Sequence, residues 1–102
     1  PEVNEPLREV QDVTLIVDYG NGTIENWENF ELSDYNTTAF NALEEWCNIE
    51  YTDYGDMGII VESIDGKTGN WLYSVNDVSP GVSAKKYNLK NGDIVKWTFS
   101  SY

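Results

Sequence analysis

Gly58-Ile59-Ile60-Val61-Glu62-Ser63-Ile64-Asp65-Gly66, then Trp71-Leu72-Tyr73-Ser74-Val75-Asn76, then Asn91-Gly92-Asp93-Ile94-Val95-Lys96-Trp97 are the stretches whose reading decides the fold. The first holds a nearly continuous apolar run over residues 57–64, which predicts a central strand. Asp65-Gly66 through Gly69-Asn70 carries turn residues. The second alternates, with Trp71, Tyr73 and Val75 on one face and Leu72, Ser74 and Asn76 on the other. Residues 77–92 are irregular, punctuated by Pro80-Gly81 and Asn91-Gly92. Residues 93–99 close the sheet, with Val95, Trp97 and Phe99 on one face.

Upstream of these stretches the pattern begins as a hairpin. Residues 12–18 alternate, with Val13, Leu15 and Val17 inward. Asn21-Gly22 then predicts a type I′ turn, because both residues tolerate positive φ. Residues 24–32 return as a second strand. The period then changes. Asn36, Thr37 and Thr38 offer caps ahead of Phe40, Leu43, Trp46 and Cys47, whose spacing places them on one face of a helix. About ten residues of helix are too few to stand alone, so this helix must pack on a sheet. Residues 48–56 read as a loop or short irregular strand. The order is strand, strand, helix, strand, strand, strand. That is an α+β, β-grasp-like plan with one helix packed on a mixed sheet. Residues 1–11, polar and carrying two prolines, read as a flexible linker, which leaves 12–102 as the domain.

The chain has 102 residues and a net charge of -12, from six Lys or Arg against eighteen Asp or Glu. Such a field repels phosphate backbones, which excludes nucleic acid as a partner. With no His, the usual general base and the usual metal ligand are both missing. The one cysteine, Cys47, has no partner for an internal disulfide and reads as a buried thiol. No apolar run approaches the roughly 18 residues of a membrane span. The opening Pro1-Glu2-Val3-Asn4-Glu5-Pro6 reads as a trimmed tether, with a leader or lipid anchor expected upstream.

From Gly58 onward, the glycine before the strand, the Asp65-Gly66 turn, Trp71 opening the next strand and Gly92-Asp93 before the last strand occur in an order that resembles a known family. It is the prokaryotic domain-of-unknown-function family 4430, related to the C-terminal β-domain of transcobalamin and intrinsic factor. The resemblance covers roughly residues 12–99. It implies a secreted or surface-anchored module that binds a soluble ligand and performs no chemistry. In the corrinoid carriers a hairpin face covers the ligand, and the matching residues here are Trp71, Leu72, Tyr73 and Ser74. The carriers complete their corrinoid site with a second, helical domain that this chain does not contain.

Two readings stand for Trp71 and Tyr73: a stacking surface for a planar ligand or a sugar, or a core-facing pair against the helix. Tyr54 and Met57, beside Tyr51, either line an open cleft or cover a sheet edge. Glu50, Asp53 and Asp56 are the candidate ligands for Ca²⁺, although the spacing of an EF-hand loop is absent. Asp65-Gly66-Lys67-Thr68-Gly69 fails as a phosphate loop, because Val61 stands where its first glycine belongs. Asn21-Gly22-Thr23 and Asn36-Thr37-Thr38 fit the glycosylation pattern, but a turn and a helix cap account for both.

No nucleophile has a base beside it in the sequence, so the chain is expected not to be an enzyme. The function expected is extracellular binding of a small soluble ligand, corrinoid-like, through the aromatic hairpin. The alternative is a structural or adhesive surface-protein module that binds calcium, carbohydrate or another surface protein.

Overall fold

The computed structural model describes residues 7–100. The chain folds as β1 (Val10–Asp18), β2 (Ile24–Leu32), α1 (Ala39–Trp46), β3 (Ile49–Asp53), β4 (Ile59–Ile64), β5 (Lys67–Thr68), β6 (Asn70–Val75) and β7 (Ile94–Ser100). It is an α+β fold in which the helix packs on a mixed four-stranded sheet of order β2-β1-β7-β6. A second, three-stranded sheet of order β3-β4-β5 lies beside it. The strand expected at the centre of a single sheet is instead the middle strand of this smaller one. It starts at Ile59, because Gly55–Met57 wind into a single 3₁₀ turn.

β1 begins at Val10, two residues inside the stretch expected to be linker, and Val10 is fully buried. Residues 1–6 of that stretch lie outside the described residues. The inward apolar positions of β1 are Val10, Val13, Leu15 and Val17, so strict alternation starts only at Val13. Irregularities in the β1–β2 register explain the extra residue. Asp12 and Asn29 take positive φ there, at 59° and 55°. A bulge in one strand offsets a bulge in the other, and the apolar faces stay aligned.

The β1–β2 connection departs from the two-residue turn expected at Asn21-Gly22. Gly20 and Gly22 hold the positive φ values, 76° and 91°. Asn21 Oδ1 instead accepts the Thr23 N–H at 3.0 Å, and Asp18 Oδ1 accepts the Gly20 N–H at 2.9 Å. Side-chain turns therefore close a wider loop, finished by the Tyr19 N–H on the Thr23 carbonyl.

α1 starts at Thr38, which caps it. The Asn41 N–H donates to Thr38 Oγ1, and the Thr38 N–H donates back to Asn41 Oδ1 at 3.1 Å. Ala39, Phe40, Ala42 and Leu43 are buried against the sheet. Burying a side chain such as Phe40 or Leu43 contributes roughly 1.5–3 kcal/mol each. Trp46, expected on that face, is exposed at its edge. It stacks on Trp27 at 5.8 Å and meets Phe30 edge-on, closing the open side of the hairpin.

β7 does not close the sheet at its edge. It inserts between β1 and β6, parallel to β1 and antiparallel to β6. The buried Asp93 fixes the approach. Its carboxylate accepts the Lys90 N–H and the Asn76 side-chain amide, both at 2.9 Å. The Gly92 N–H donates to the Gln11 carbonyl and the Thr14 N–H to the Asp93 carbonyl. At Gly69 the chain passes from the small sheet into the large one. A Cβ there would lie 2.1 Å from Phe99 Cε1, so any other residue at this crossing would push the Phe99 ring aside.

Candidate functional site

β5 pairs with β4 only at Ser63 and Ile64, so Ile59–Val61 have no strand on that side among the described residues. β6 is the outer strand of the large sheet. The edges of β4 and β6 face each other across a cleft of about 270 Å³. Trp71, Tyr73 and Trp97 line it together with Ile59, Val61, Ser83 and Ala84, and none of its lining residues is charged. Ile60 and Leu72 form its lips and are 54% and 56% exposed. Exposed apolar side chains bordering an uncharged recess are the usual composition of a small-molecule site.

The period of two along β6 decides which aromatics are available. Trp71 is only 5% exposed, and its indole N–H donates to the Lys67 carbonyl at 3.0 Å. It meets Tyr19 and Phe99 edge-on, at 5.7 Å and 5.5 Å. Trp71 is therefore a core residue, which is the second of the two readings, and it offers no open stacking face. Tyr73 is half-buried and stacks on Trp97 at 5.2 Å and 26°. Its hydroxyl donates to the Val82 carbonyl at 2.5 Å. Burial first, and Tyr87 second, push its phenol up to about 12, so it stays a neutral donor at ordinary pH. Leu72, not an aromatic ring, is the side chain of the hairpin that faces outward. Ser74 lies on that same outer face of β6, partly exposed.

The loop before β4 supports the cleft from one end. Tyr54 caps the 3₁₀ turn, and Met57 is 88% exposed. Neither lines the cleft, so these residues are not joined to Trp71 and Tyr73 as one aromatic surface. The turn is tied to the segment after β6 by the Lys86 ammonium on the Asp56 carbonyl and by a Lys85–Asp53 ion pair of 3.6 Å.

The structure does not assemble the expected calcium ligands. Asp53 is held by Lys85 and by the Gly55 N–H at 2.8 Å. Asp56 sits on the 3₁₀ turn, and Glu50 borders a separate recess with Glu62. Among the described residues no three His, Cys, Asp or Glu side chains converge as a metal site. Charge repulsion within so acidic a chain favours this spacing.

A second polar cluster lies at the other end of the small sheet. The Tyr19 hydroxyl stands 2.9 Å from Glu25 Oε1 and 3.0 Å from Asp65 Oδ2. Asp65 Oδ1 accepts the Asn48 N–H at 2.8 Å. Burial, then the two carboxylates, push the Tyr19 phenol far up. Burial, then Asp65, push the Cys47 thiol up to about 12. Such a thiol is unreactive.

Ile60, Ser83 and Trp97 are cleft residues that the sequence does not single out. Trp97 reads there only as one of the inward positions of the last strand. Ile60 is concealed by the apolar run of β4, and Ser83 lies in an irregular stretch that carries no periodic signal.

A helix on a mixed sheet, with a small second sheet leaving an uncharged cleft at their border, defines the class: an α+β domain of one helix and two sheets. The chain belongs to the family described as Domain of unknown function (DUF4430), whose model matches residues 36–101. A candidate metal binding protein from Ruminococcus gnavus ATCC 29149 shares the fold, with a TM-score of 0.67 and 19% identity over 90% of this chain and 98% of that one. Haptocorrin in complex with Cbi shares it too, with a TM-score of 0.67 and 14% identity. That match takes in 99% of this chain but only 26% of haptocorrin, so the chain spans about a quarter of that protein. No curated protein matches the chain. No helix of the described residues is long and apolar enough to cross a membrane.

Proposed function

We propose that this domain is a non-catalytic binding module for a small soluble ligand, seated in the cleft between β4 and β6. One observation carries the proposal: exposed Ile60 and Leu72 flank an uncharged recess between strand edges that are unpaired among the described residues. The ligand would displace ordered water from apolar surface and take hydrogen bonds from the strand edges. The likeness to haptocorrin, solved with Cbi, supports a corrinoid-like ligand as the first class to try. In this reading the domain acts outside the cell, tethered through its N-terminal side. The net charge of -12 disfavours nucleic acid and anionic ligands.

The test is a thermal-shift screen against corrinoids, haem and oligosaccharides, with Leu72→Ser as the cleft variant. A ligand held here raises the melting temperature of the parent by mass action and raises that of Leu72→Ser less. An equal rise in both proteins places the ligand elsewhere. The alternative of an adhesive surface module predicts no shift with any of these ligands. A calcium-binding module predicts a shift with millimolar calcium, and the absence of one removes that alternative.

A further inference from the structure

Two Asn-Gly pairs, Asn21-Gly22 and Asn91-Gly92, lie exposed in loops. Such a pair can modify itself, because glycine has no side chain to keep its backbone nitrogen away from the preceding side-chain amide. The two pairs match in most respects. Gly22 and Gly92 have φ values of 91° and 85°, and a Cβ on either would meet nothing within 4 Å. Each asparagine Oδ1 accepts one backbone N–H, from Thr23 at 3.0 Å and from Gln11 at 2.9 Å. They differ at the glycine nitrogen. The Gly92 N–H donates to the Gln11 carbonyl at 3.0 Å, so a reciprocal pair of bonds ties Asn91-Gly92 to β1. Buried Asp93 follows at once and takes the Lys90 N–H on its carboxylate. The Gly22 N–H has no acceptor among the described residues.

We propose that Asn21 is a site of spontaneous deamidation in the folded protein and that the fold protects Asn91. The reaction consumes water and needs no enzyme. The Gly22 nitrogen loses its proton to base and attacks Asn21 Cγ. An N–Cγ bond forms, the Cγ–Nδ2 bond breaks, and ammonia leaves after taking up that proton. Water then opens the cyclic imide at either carbonyl, giving aspartate or isoaspartate. The Thr23 N–H stands on Oδ1, the atom where negative charge develops during attack. Asn91 has the same assistance, but its nucleophile must first leave the Gln11 carbonyl. Breaking one hydrogen bond slows attack by about threefold to tenfold, and the buried Asp93 anchor makes local opening rarer still. Both products add a negative charge to the recess that Asn21 shares with Glu25 and Asp65. Isoaspartate also routes the main chain through Cβ and Cγ, which lengthens the loop between β1 and β2. This inference does not depend on the cleft between β4 and β6.

The intact protein is incubated at pH 8 and 37 °C, in buffer and in guanidinium chloride. Peptides carrying each pair are then followed by mass spectrometry, with isoaspartyl methyltransferase labelling to count isoaspartate. In buffer, Asn21 is expected to convert at least about tenfold faster than Asn91. In guanidinium chloride the Gln11 contact is gone, and the two rates should agree within about threefold. Asn21→Gln should abolish labelling of the folded protein, because glutamine closes its larger ring far more slowly. Amide hydrogen exchange gives a second readout, in which Gly92 should exchange at least about tenfold more slowly than Gly22. Equal conversion of the two asparagines in buffer overturns the selectivity. An Asn21 that converts in guanidinium chloride but not in buffer overturns the site. A rate difference that survives in guanidinium chloride overturns the role of the fold.

Discussion

Gly58 lies directly against Ser83: a Cβ on Gly58 would come within 2.4 Å of Ser83 Cβ. The same serine accepts the Ile59 N–H on its Oγ at 3.0 Å. The first residue of β4 is thus clamped to the irregular segment after β6. This contact sets the width of the cleft at one end, because Ser83 lines the recess and Ile59 does as well. It also explains why a glycine precedes this strand, a position whose φ is 92°.

Gly58→Ala should therefore destabilise the domain. Backbone in that region costs a side chain about 1–3 kcal/mol, and overpacking adds about 1–3 kcal/mol more. A loss of about 2–5 kcal/mol is expected from urea unfolding. The double variant Gly58→Ala with Ser83→Gly should recover part of the loss beyond that of Ser83→Gly alone, since it removes the clash and leaves the strained backbone and the lost Ser83 Oγ acceptor of the Ile59 N–H. Strict additivity of the two single changes would show that the close approach does not matter.

Thr38 is the second local determinant. It caps α1 through a reciprocal pair of hydrogen bonds with Asn41. The helix is eight residues long and cannot hold itself together without its cap and its packing. Thr38→Ala should cost about 1 kcal/mol, and Thr38→Ser should retain most of that. Calorimetry should place the two melting temperatures several degrees apart, and coincident values would remove the cap from the account.

The elements with a local cause are legible in the sequence. The cap at Thr38, the inward set Val13, Leu15 and Val17, and the inward set Val95, Trp97 and Phe99 all follow from period and capping chemistry. The division into two sheets is not legible, because the crossing between them at Gly69 packs against Phe99, thirty positions away in the chain. Periodicity places Trp71 and Tyr73 on one face but cannot say whether that face is wet. Tyr19, Phe99 and Trp97 settle the question by packing on it. Leu72 emerges as a lip of the cleft by the same parity, read in the opposite sense. Glu50, Asp53 and Asp56 are close in sequence, yet the 3₁₀ turn and the Lys85 ion pair hold them apart.

Alkaline pH should weaken the fold before it affects anything else. Burial first pushes up the Cys47 thiol, from 9.0 to about 12, and the Tyr73 phenol, from 10.0 to about 12. Burial and the carboxylates of Glu25 and Asp65 push Tyr19 up further. Each group releases its proton more readily in the unfolded chain. The stability linked to them is fully present below about pH 9 and is lost as pH rises through 9 to 12. Unfolding free energy measured across this window should fall steadily. Tyr19→Phe should fall less steeply above pH 10, and an unchanged slope would exclude Tyr19 as a source. Cys47 should resist thiol reagents at pH 8 until denaturant is added.

Trp71 and Leu72 are adjacent in the chain but should behave in opposite ways. Trp71 packs between Tyr19 and Phe99 and gives its N–H to Lys67, so Trp71→Ala leaves a large cavity and an unpaired carbonyl. A loss of about 3–5 kcal/mol is expected, enough to unfold much of the population of a marginally stable domain. Leu72 projects from the outer strand, and Leu72→Ala should change stability by no more than about 0.5 kcal/mol. Any loss of ligand response in Trp71→Ala then reports on folding, whereas the same loss in a folded Leu72 variant reports on the cleft. Circular dichroism melts of the two variants check this. A stable Trp71→Ala protein would mean that the ring is not part of the core and would reopen the stacking face as a binding surface.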